Sequence, residues 1–331
     1  MDTTRVKKLN VAQVKTALKA ADNATKLEIA GATGLSVATC GTILNELLRK
    51  GEILEIAPAR QGGGRPAQCY RYNARYAYAA CAYFAAEGAG VLLRYAVANL
   101  LGEITEQGDV GDSTGSYEEL EALFDELLSR YPNIKGIGVG VPGVVVGGRG
   151  ESCDIASLTG VAVTEQLERW YNIGAVTEND MNAVAYGFYK ARQYAVQRNV
   201  AAVFFPRDHC PGAGIVVNGG IVRGDNHFAG EISCLPHAKG WVMYRQDGEA
   251  KREDIQAVAQ TIASIAAVIN PIAVALTVVS PEDAFIQEVK RECLVYIPPR
   301  HMPELVVKTN IYEDYINGLI ALTLERLEHG P

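Results

Sequence analysis

Apolar residues recur at spacings of three and four through the first fifty positions, and the pattern then changes to short alternating runs. Over 10–21, Val11, Val14, Ala17 and Leu18 make one stripe, which predicts a helix. Thr25 and Glu28 stand three apart as a capping box that opens a short second helix. Gly34 is expected to end it, because the tight turn there suits a residue without a Cβ. Ser36 is placed to cap a third helix. In that helix Val37, Cys40, Ile43, Leu44, Leu47 and Leu48 are expected to face the core, with Gly51 just past its end. Ala38, Thr39, Thr42 and Asn45 are left on the outer face. Ile53, Leu54 and Ile56 predict a strand, and Cys69, Tyr70 and Tyr72 its antiparallel partner. Between them lies the loop 60–66, with three glycines and a proline flanked by arginines.

Three helices, the second and third of them capped, followed by a hairpin make a winged helix-turn-helix, read over 25–72, the module that lays its last helix in a major groove. The expected DNA-contacting residues are Ser36, Ala38, Thr39, Thr42, Asn45 and Arg49 on the third helix, and Arg60, Gly64, Arg65 and Pro66 in the wing. Short polar side chains reach base edges, and an arginine tip suits the negative potential of a narrow minor groove. A plain solvated hairpin loop is the competing reading of the wing alone. Residues 1–75 hold 12 Lys+Arg against 6 Asp+Glu, whereas the remainder holds 19 against 32, so the overall charge of −7 hides a basic head on an acidic body. A basic head attracts phosphates and an acidic body resists them. Backbone contacts are expected from Lys7, Lys8, Lys15, Lys26 and the wing.

After Asn73, strands alternate with helices. Runs at 76–84, 91–99, 103–106, 134–139, 175–178, 201–205, 214–217 and 221–222 predict sheet, and 117–131 predicts an amphipathic helix. The most apolar stretch, 255–279, is broken by Gln256, Gln260, Ser264, Asn270 and Pro271. It is expected as a buried helix and then a buried strand rather than a membrane span. The polar start has no leader-like apolar run, and seven dispersed cysteines without a Cys-x-x-Cys pair suit reduced thiols; both point to the cytoplasm. At 331 residues the chain has room for two or three domains.

Four stretches in order carry a family resemblance: 138–143 (GVGVPG), 178–183 (ENDMNA), 218–224 (NGGIVRG) and 228–232 (FAGEI). With the helix-turn-helix and its Gly-Arg-Pro wing, the chain resembles the ROK family of repressors, open reading frames and kinases. The resemblance implies an α/β, two-lobed, actin-like (ribonuclease H-like) sugar kinase fold behind the winged helix, usually assembled as a dimer or tetramer. The expected domains are 1–75 for the DNA-binding head, 76–178 for the first lobe, 179–311 for a shortened second lobe, and 312–331 for a helix returning to the first lobe.

The departures from the kinase pattern bear on activity. Where family kinases carry an Asp-x-Gly-Gly-Thr phosphate loop, this chain has Cys81-Ala82-Tyr83-Phe84-Ala85-Ala86-Glu87. Where they carry a second glycine-rich loop, it has Asp208-His209-Cys210-Pro211, and proline removes an amide donor. Cys234 stands where the family's zinc-binding His would be, and the cysteine run of that site is missing. Cys210, Cys234, His209 and His237 could form a replacement metal site, but two buried thiols beside two surface histidines are the commoner arrangement, so no metal and no cofactor is expected. Asp180 matches the family's catalytic base. Without a phosphoryl donor its role shrinks to binding, so Asn179, Asp180 and Glu231 stand as ligand-binding candidates, with capping of the following helix as the plainer role for the first two. The expected function is a DNA-binding regulator, a repressor, with a catalytically inactive body. Its partners are a double-stranded operator, a sugar or sugar-phosphate effector and a second copy of the chain. An atypical sugar kinase using Asp180, and a regulator with no effector, are the alternatives.

Overall fold

The computed structural model describes residues 3–57, 68–87, 90–206, 210–238, 252–278 and 283–329. The chain divides into two compact units: Met1–Tyr78 with Ala98–Glu103, and Ala79–Val97 with Ile104–Pro331.

The first unit holds helices α1 (Thr3–Ala20), α2 (Lys26–Thr33) and α3 (Val37–Lys50), and strands β1 (Ala24–Thr25), β2 (Ile53–Ile56) and β3 (Cys69–Tyr72). The Thr25 capping box is complete. The Glu28 amide donates to Thr25 Oγ1 at 3.3 Å, and the Thr25 amide donates to Glu28 Oε2 at 2.7 Å. Ser36 Oγ accepts from the Thr39 amide at 3.1 Å, and Gly34 and Gly51 end their helices with φ of 69° and 80°. The hairpin pairs Ile53 with Tyr72 and Ile56 with Cys69, and β1 adds a third strand on the other side of β3. Val14, Leu18, Ile29, Cys40, Leu44, Leu47, Ile53 and Tyr70 form the core, and Leu48 and Leu100 pack against it. Leu100 lies on the turn 98–103, where Asn99 Oδ1 accepts from the amides of Leu101 and Glu103, and the Leu100 amide donates to Ala74 O at 2.9 Å. Val37 departs from expectation. It is 45% exposed, because the first turn of α3 extends beyond the contact with α1 and α2.

The second unit contains two five-stranded sheets. The first uses β4 (Tyr78–Glu87), β5 (Gly90–Asn99), β6 (Ile104–Ser113), β7 (Ile134–Val141) and β10 (Gly174–Asn179), in the order β10-β7-β4-β5-β6. The second uses β11 (Val200–Phe205), β12 (Gly212–Val217), β13 (Gly220–Ile221), β14 (Ala273–Val278) and β15 (Glu304–Lys308), in the order β13-β12-β11-β14-β15. A hairpin, β8 (Gly143–Val146) with β9 (Arg149–Cys153), follows β7. Helices α4 (Tyr117–Arg130), α5 (Val163–Tyr171), α6 (Asp180–Ala191), α7 (Arg252–Ile269), α8 (Asp283–Tyr296) and α9 (Tyr312–His329) complete it. Strands β7, β11 and β14 are buried along nearly their whole length, as continuous apolar runs inside a parallel sheet require; β10, parallel to β7, is the edge of the first sheet. Helices α7 and α8 cover the second sheet through Val258, Ile262, Val289 and Cys293.

Helices α6 and α9 meet backbone to backbone. A Cβ on Gly187 would lie 1.8 Å from Asp314 O, and one on Gly318 would lie 1.9 Å from Ala183 O. Alternate glycines on β7 serve the same packing: a Cβ on Gly138 would meet Thr323 Oγ1, and one on Gly140 the Tyr315 hydroxyl, both on α9. The motif at 138–143 therefore seats α9 on the sheet. Among the described residues no single helix is long and apolar enough to cross a membrane. The bent pair α2 and α3, which reaches that length together, is the helix-turn-helix itself.

Candidate functional site

Two surfaces carry the residues singled out by sequence. The first is the outer face of α3. Ser36, Ala38, Thr42, Asn45 and Arg49 are exposed and Thr39 is half-buried, so the six stand on one side, opposite the core residues Cys40, Ile43, Leu44 and Leu47. Two expected phosphate contacts are engaged inside the unit instead. Lys7 pairs with Glu46 at 2.9 Å and Lys15 pairs with Glu52. Lys50 joins Glu46 at 3.2 Å, and these cations hold the Glu46 carboxyl below its ordinary range. Glu28 is likewise lowered, by the amide and hydroxyl of Thr25. Glu46 and Glu52 are thus paired with lysines, and Lys8 and Arg49 are left exposed. Arg60, Gly64, Arg65 and Pro66 lie outside the described residues.

The second is a cavity of about 590 Å³ in the larger unit. Its floor is the junction of β10 and α6. Asn179 caps α6, accepting from the Asn182 amide at 2.9 Å, and its Nδ2 donates to Gly143 O at 2.7 Å and Asp180 Oδ1 at 2.9 Å. The Met181 amide also donates to Asp180 Oδ1, at 2.8 Å. Both proposed roles therefore meet in the same residues: Asn179 and Asp180 organise the helix start and also line the cavity. Just behind them Glu178 is buried. It accepts from Asn182 Nδ2 at 3.0 Å and from Arg223 Nε at 3.1 Å, an anchor that joins the 178–183 motif to the 218–224 motif.

Glu231 lines the same cavity, as does Asp154, which follows β9 and was not expected at a site. Three carboxylates thus share one concavity, and no Lys or Arg among the described residues lines it. Burial, and secondarily the charges of Asp154 and Glu231, push Asp180 up to about 7. Burial and Asp154 raise Glu231 as well. The signal for Asp154 was weak in sequence, since it sits in no motif and reaches the cavity only because the β8–β9 hairpin carries it there.

Tyr83 and Phe84, at the position of the family's first phosphate loop, are buried on β4 and line the cavity. The Tyr83 ring lies against Tyr315 of α9 with centroids 4.2 Å apart, and the Tyr315 hydroxyl is buried with no hydrogen-bond partner among the described residues. Burial raises Tyr83 to about 12. Pro211 is buried and lines the opposite wall, where Gly212-Ala213-Gly214 opens β12. A Cβ on Gly214 would lie 1.8 Å from Met181 O, so that glycine serves close packing against α6.

The residues weighed as a metal set are arranged differently from expectation. Cys210 and Cys234 are exposed rather than buried: Cys210 lies in the segment before β12, and Cys234 ends the short 3-10 turn Ile232–Cys234. His237 Nε2 is within 3.1 Å of Thr261 Oγ1, and burial lowers its pKa. His209 lies outside the described residues. Among the described residues no three His, Cys, Asp or Glu side chains gather as a metal set would require.

Residues 87–239 match the ROK family model. A chain described as "Putative xylose repressor", from Caldicellulosiruptor sp. (strain Rt8B.4), is 25% identical over 223 residues, covering 63% of this chain and 54% of that one. The chain thus spans about half the length of that curated relative. Among solved structures, a ROK family transcriptional regulator, a homolog of the E. coli Mlc protein, superposes with a TM-score of 0.70 at 17% identity, over 98% of this chain and 100% of its own. A ROK family glucokinase from Streptomyces griseus, in complex with glucose and AMPPNP, superposes with a TM-score of 0.57 at 14% identity, over 75% of this chain and 99% of its own. The fold is that of these proteins, and the regulator alignment takes in both units where the kinase alignment takes in about three quarters of the chain.

Proposed function

We propose that this chain, which carries a ROK family domain over residues 87–239, is a DNA-binding transcriptional regulator that represses from a double-stranded operator in the cytoplasm. The observation that carries the reading is α3: doubly capped, amphipathic, with Ser36, Ala38, Thr39, Thr42, Asn45 and Arg49 turned away from the core. A helix so presented after a helix-turn has the form that major-groove recognition uses. The full-length likeness to a ROK transcriptional regulator supports it. In a homodimer or tetramer, two such helices would meet half-sites about one helical turn, ~34–36 Å, apart. Selection of bound genomic fragments, followed by titration against salt, tests the reading. Saturable binding whose affinity falls steeply with salt is expected, and Arg65→Ala in the wing should weaken it. No binding to any fragment at low salt would sink it.

In this reading the body is not a kinase. Tyr83 and Phe84 stand where a phosphate loop would need slim backbone, and Pro211 brings no amide to the opposite wall. The cavity becomes an effector pocket in which Asn179, Asp180 and Glu231, joined by Asp154, offer hydrogen bonds to hydroxyl groups. A ligand there acts only through its differential affinity for two states of the protein.

One observation favours a second reading, a sugar kinase: a carboxyl at Asp180 with a pKa of about 7 is well matched to general-base work near neutral pH. An assay of ADP release over hexoses and amino sugars decides between them. Turnover that Asp180→Asn abolishes would overturn the regulator-only reading.

A further inference from the structure

The outer face of α3 is chemically unusual for a DNA reader. Guanine is usually read by paired donors from Arg or Lys, which reach its O6 and N7 acceptors. Positions 37, 38, 39, 42 and 45 carry no cation, and the two hydroxyls among them are committed at home. Thr39 Oγ1 is hydrogen-bonded to Ser36 Oγ at 2.8 Å, and Thr42 Oγ1 donates to Ala38 O at 3.1 Å. With its hydroxyl turned back on the helix, Thr42 presents its methyl group outward. Ala38 is exposed, and so is Val37, a full isopropyl group in the first turn that the fold leaves out of the core. Asn45 is exposed, and its amide has no hydrogen-bond partner among the described residues. The face is therefore a row of methyl groups ending in one free carboxamide.

We propose that α3 reads thymine methyl groups through Val37, Ala38 and Thr42 and a single adenine through Asn45, so that the half-site it selects is built of A·T pairs. The inference rests on the DNA-binding reading above. In the major groove only thymine offers a methyl group, and adenine offers the donor–acceptor pair that a carboxamide matches in two bonds. The charge pattern fits the same partner. Glu46, the one carboxylate of α3, is held by Lys7 and Lys50, so no unpaired anion of the helix itself opposes the phosphates. Arg49, one turn beyond Asn45, sits toward the end of the helix, where a flanking phosphate is the suitable contact.

The test separates methyl contact from every other source of preference. Half-sites are first selected from a random duplex library with the full chain. Each thymine of the selected site is then replaced by deoxyuridine, which keeps the base pair and removes only the methyl group. Burial of one methyl corresponds to about a four-fold change in affinity. Deoxyuridine should therefore weaken binding about four-fold at each contacted position. Val37→Ala should weaken the thymine duplex by a similar factor, leave the deoxyuridine duplex unchanged at one position, and leave the salt dependence as it was. Val37 is exposed, so the variant keeps its fold. Selection of G·C-rich half-sites, or equal affinity for thymine and deoxyuridine duplexes at every position, overturns the proposal while the regulator reading stands. Failure to select any duplex overturns both.

Discussion

Asp180 should cost this protein stability above neutral pH, and Asp180→Asn should recover it. The carboxyl rises from the ordinary 3.8 to about 7, chiefly through burial and then through Asp154 and Glu231. Between those values the folded chain holds a proton that the unfolded chain has released. Stability therefore falls as pH rises from about 4 to about 7, and the loss is complete above that. Three pKa units correspond to roughly 4 kcal/mol as an upper limit. Asp180 keeps partial solvent contact at the cavity wall, so about 2–3 kcal/mol is the fair expectation. Asparagine retains Oδ1 for the Met181 amide and removes the charge. The variant should nearly match the natural chain at pH 4 and exceed it by that amount at pH 8.5, measured by urea unfolding followed by circular dichroism. An equal difference at both pH values, or a variant less stable at pH 8.5, would refute the reasoning.

Arg223→Met should strand the buried Glu178 carboxylate and lower stability by about 2–3 kcal/mol, below the usual cost of a fully buried pair because Arg223 is partly exposed; the double change with Glu178→Gln should restore most of it. Gly187→Ala should destabilise by at least about 2 kcal/mol despite alanine's better helix propensity, since its Cβ would meet the Asp314 carbonyl; a rise in melting temperature would show that α6 and α9 have room to separate. In thermal-shift titrations a neutral sugar should stabilise the chain saturably, by about 2.7 kcal/mol at a hundred times its Kd, and the matching sugar phosphate should not, given a wall with three carboxylates and no Lys or Arg among the described residues. Tighter binding of the phosphate would contradict this.

Caps and faces were legible in the sequence because they depend on neighbours within one turn. Thr25, Glu28, Ser36, Gly34 and Gly51 each sit where local chemistry put them. Val37 was misplaced because periodicity says which way a side chain points and not where the neighbouring helix stops. The hairpin of β8 and β9 left a trace in Gly147-Gly148 after a valine run, with both glycines at positive φ, but nothing local said that it would deliver Asp154 to the cavity. Helix α8 was also readable in principle, since Phe285, Ile286, Val289 and Cys293 keep helical spacing. The Tyr83–Tyr315 ring contact joins residues far apart along the chain, and no window of sequence holds both. Cys210 and Cys234 read as buried by habit of their residue type, while their exposure is set by the connecting segments that carry them.

The turn at 98–103 has a consequence for anyone wishing to transplant the smaller unit. Its compact unit is assembled from two stretches of chain, Met1–Tyr78 and Ala98–Glu103, and Leu100 from the second packs on the apolar cluster of the first. A chimera that exchanges only the leading stretch would pair a foreign core with a resident leucine shaped for another. An exchange that carries both stretches keeps the hydrogen bond from Leu100 to Ala74 and the Asn99 turn within a single inheritance. Exchanging this unit between relatives is therefore a two-piece graft, and junctions are best cut at 78/79, 97/98 and 103/104.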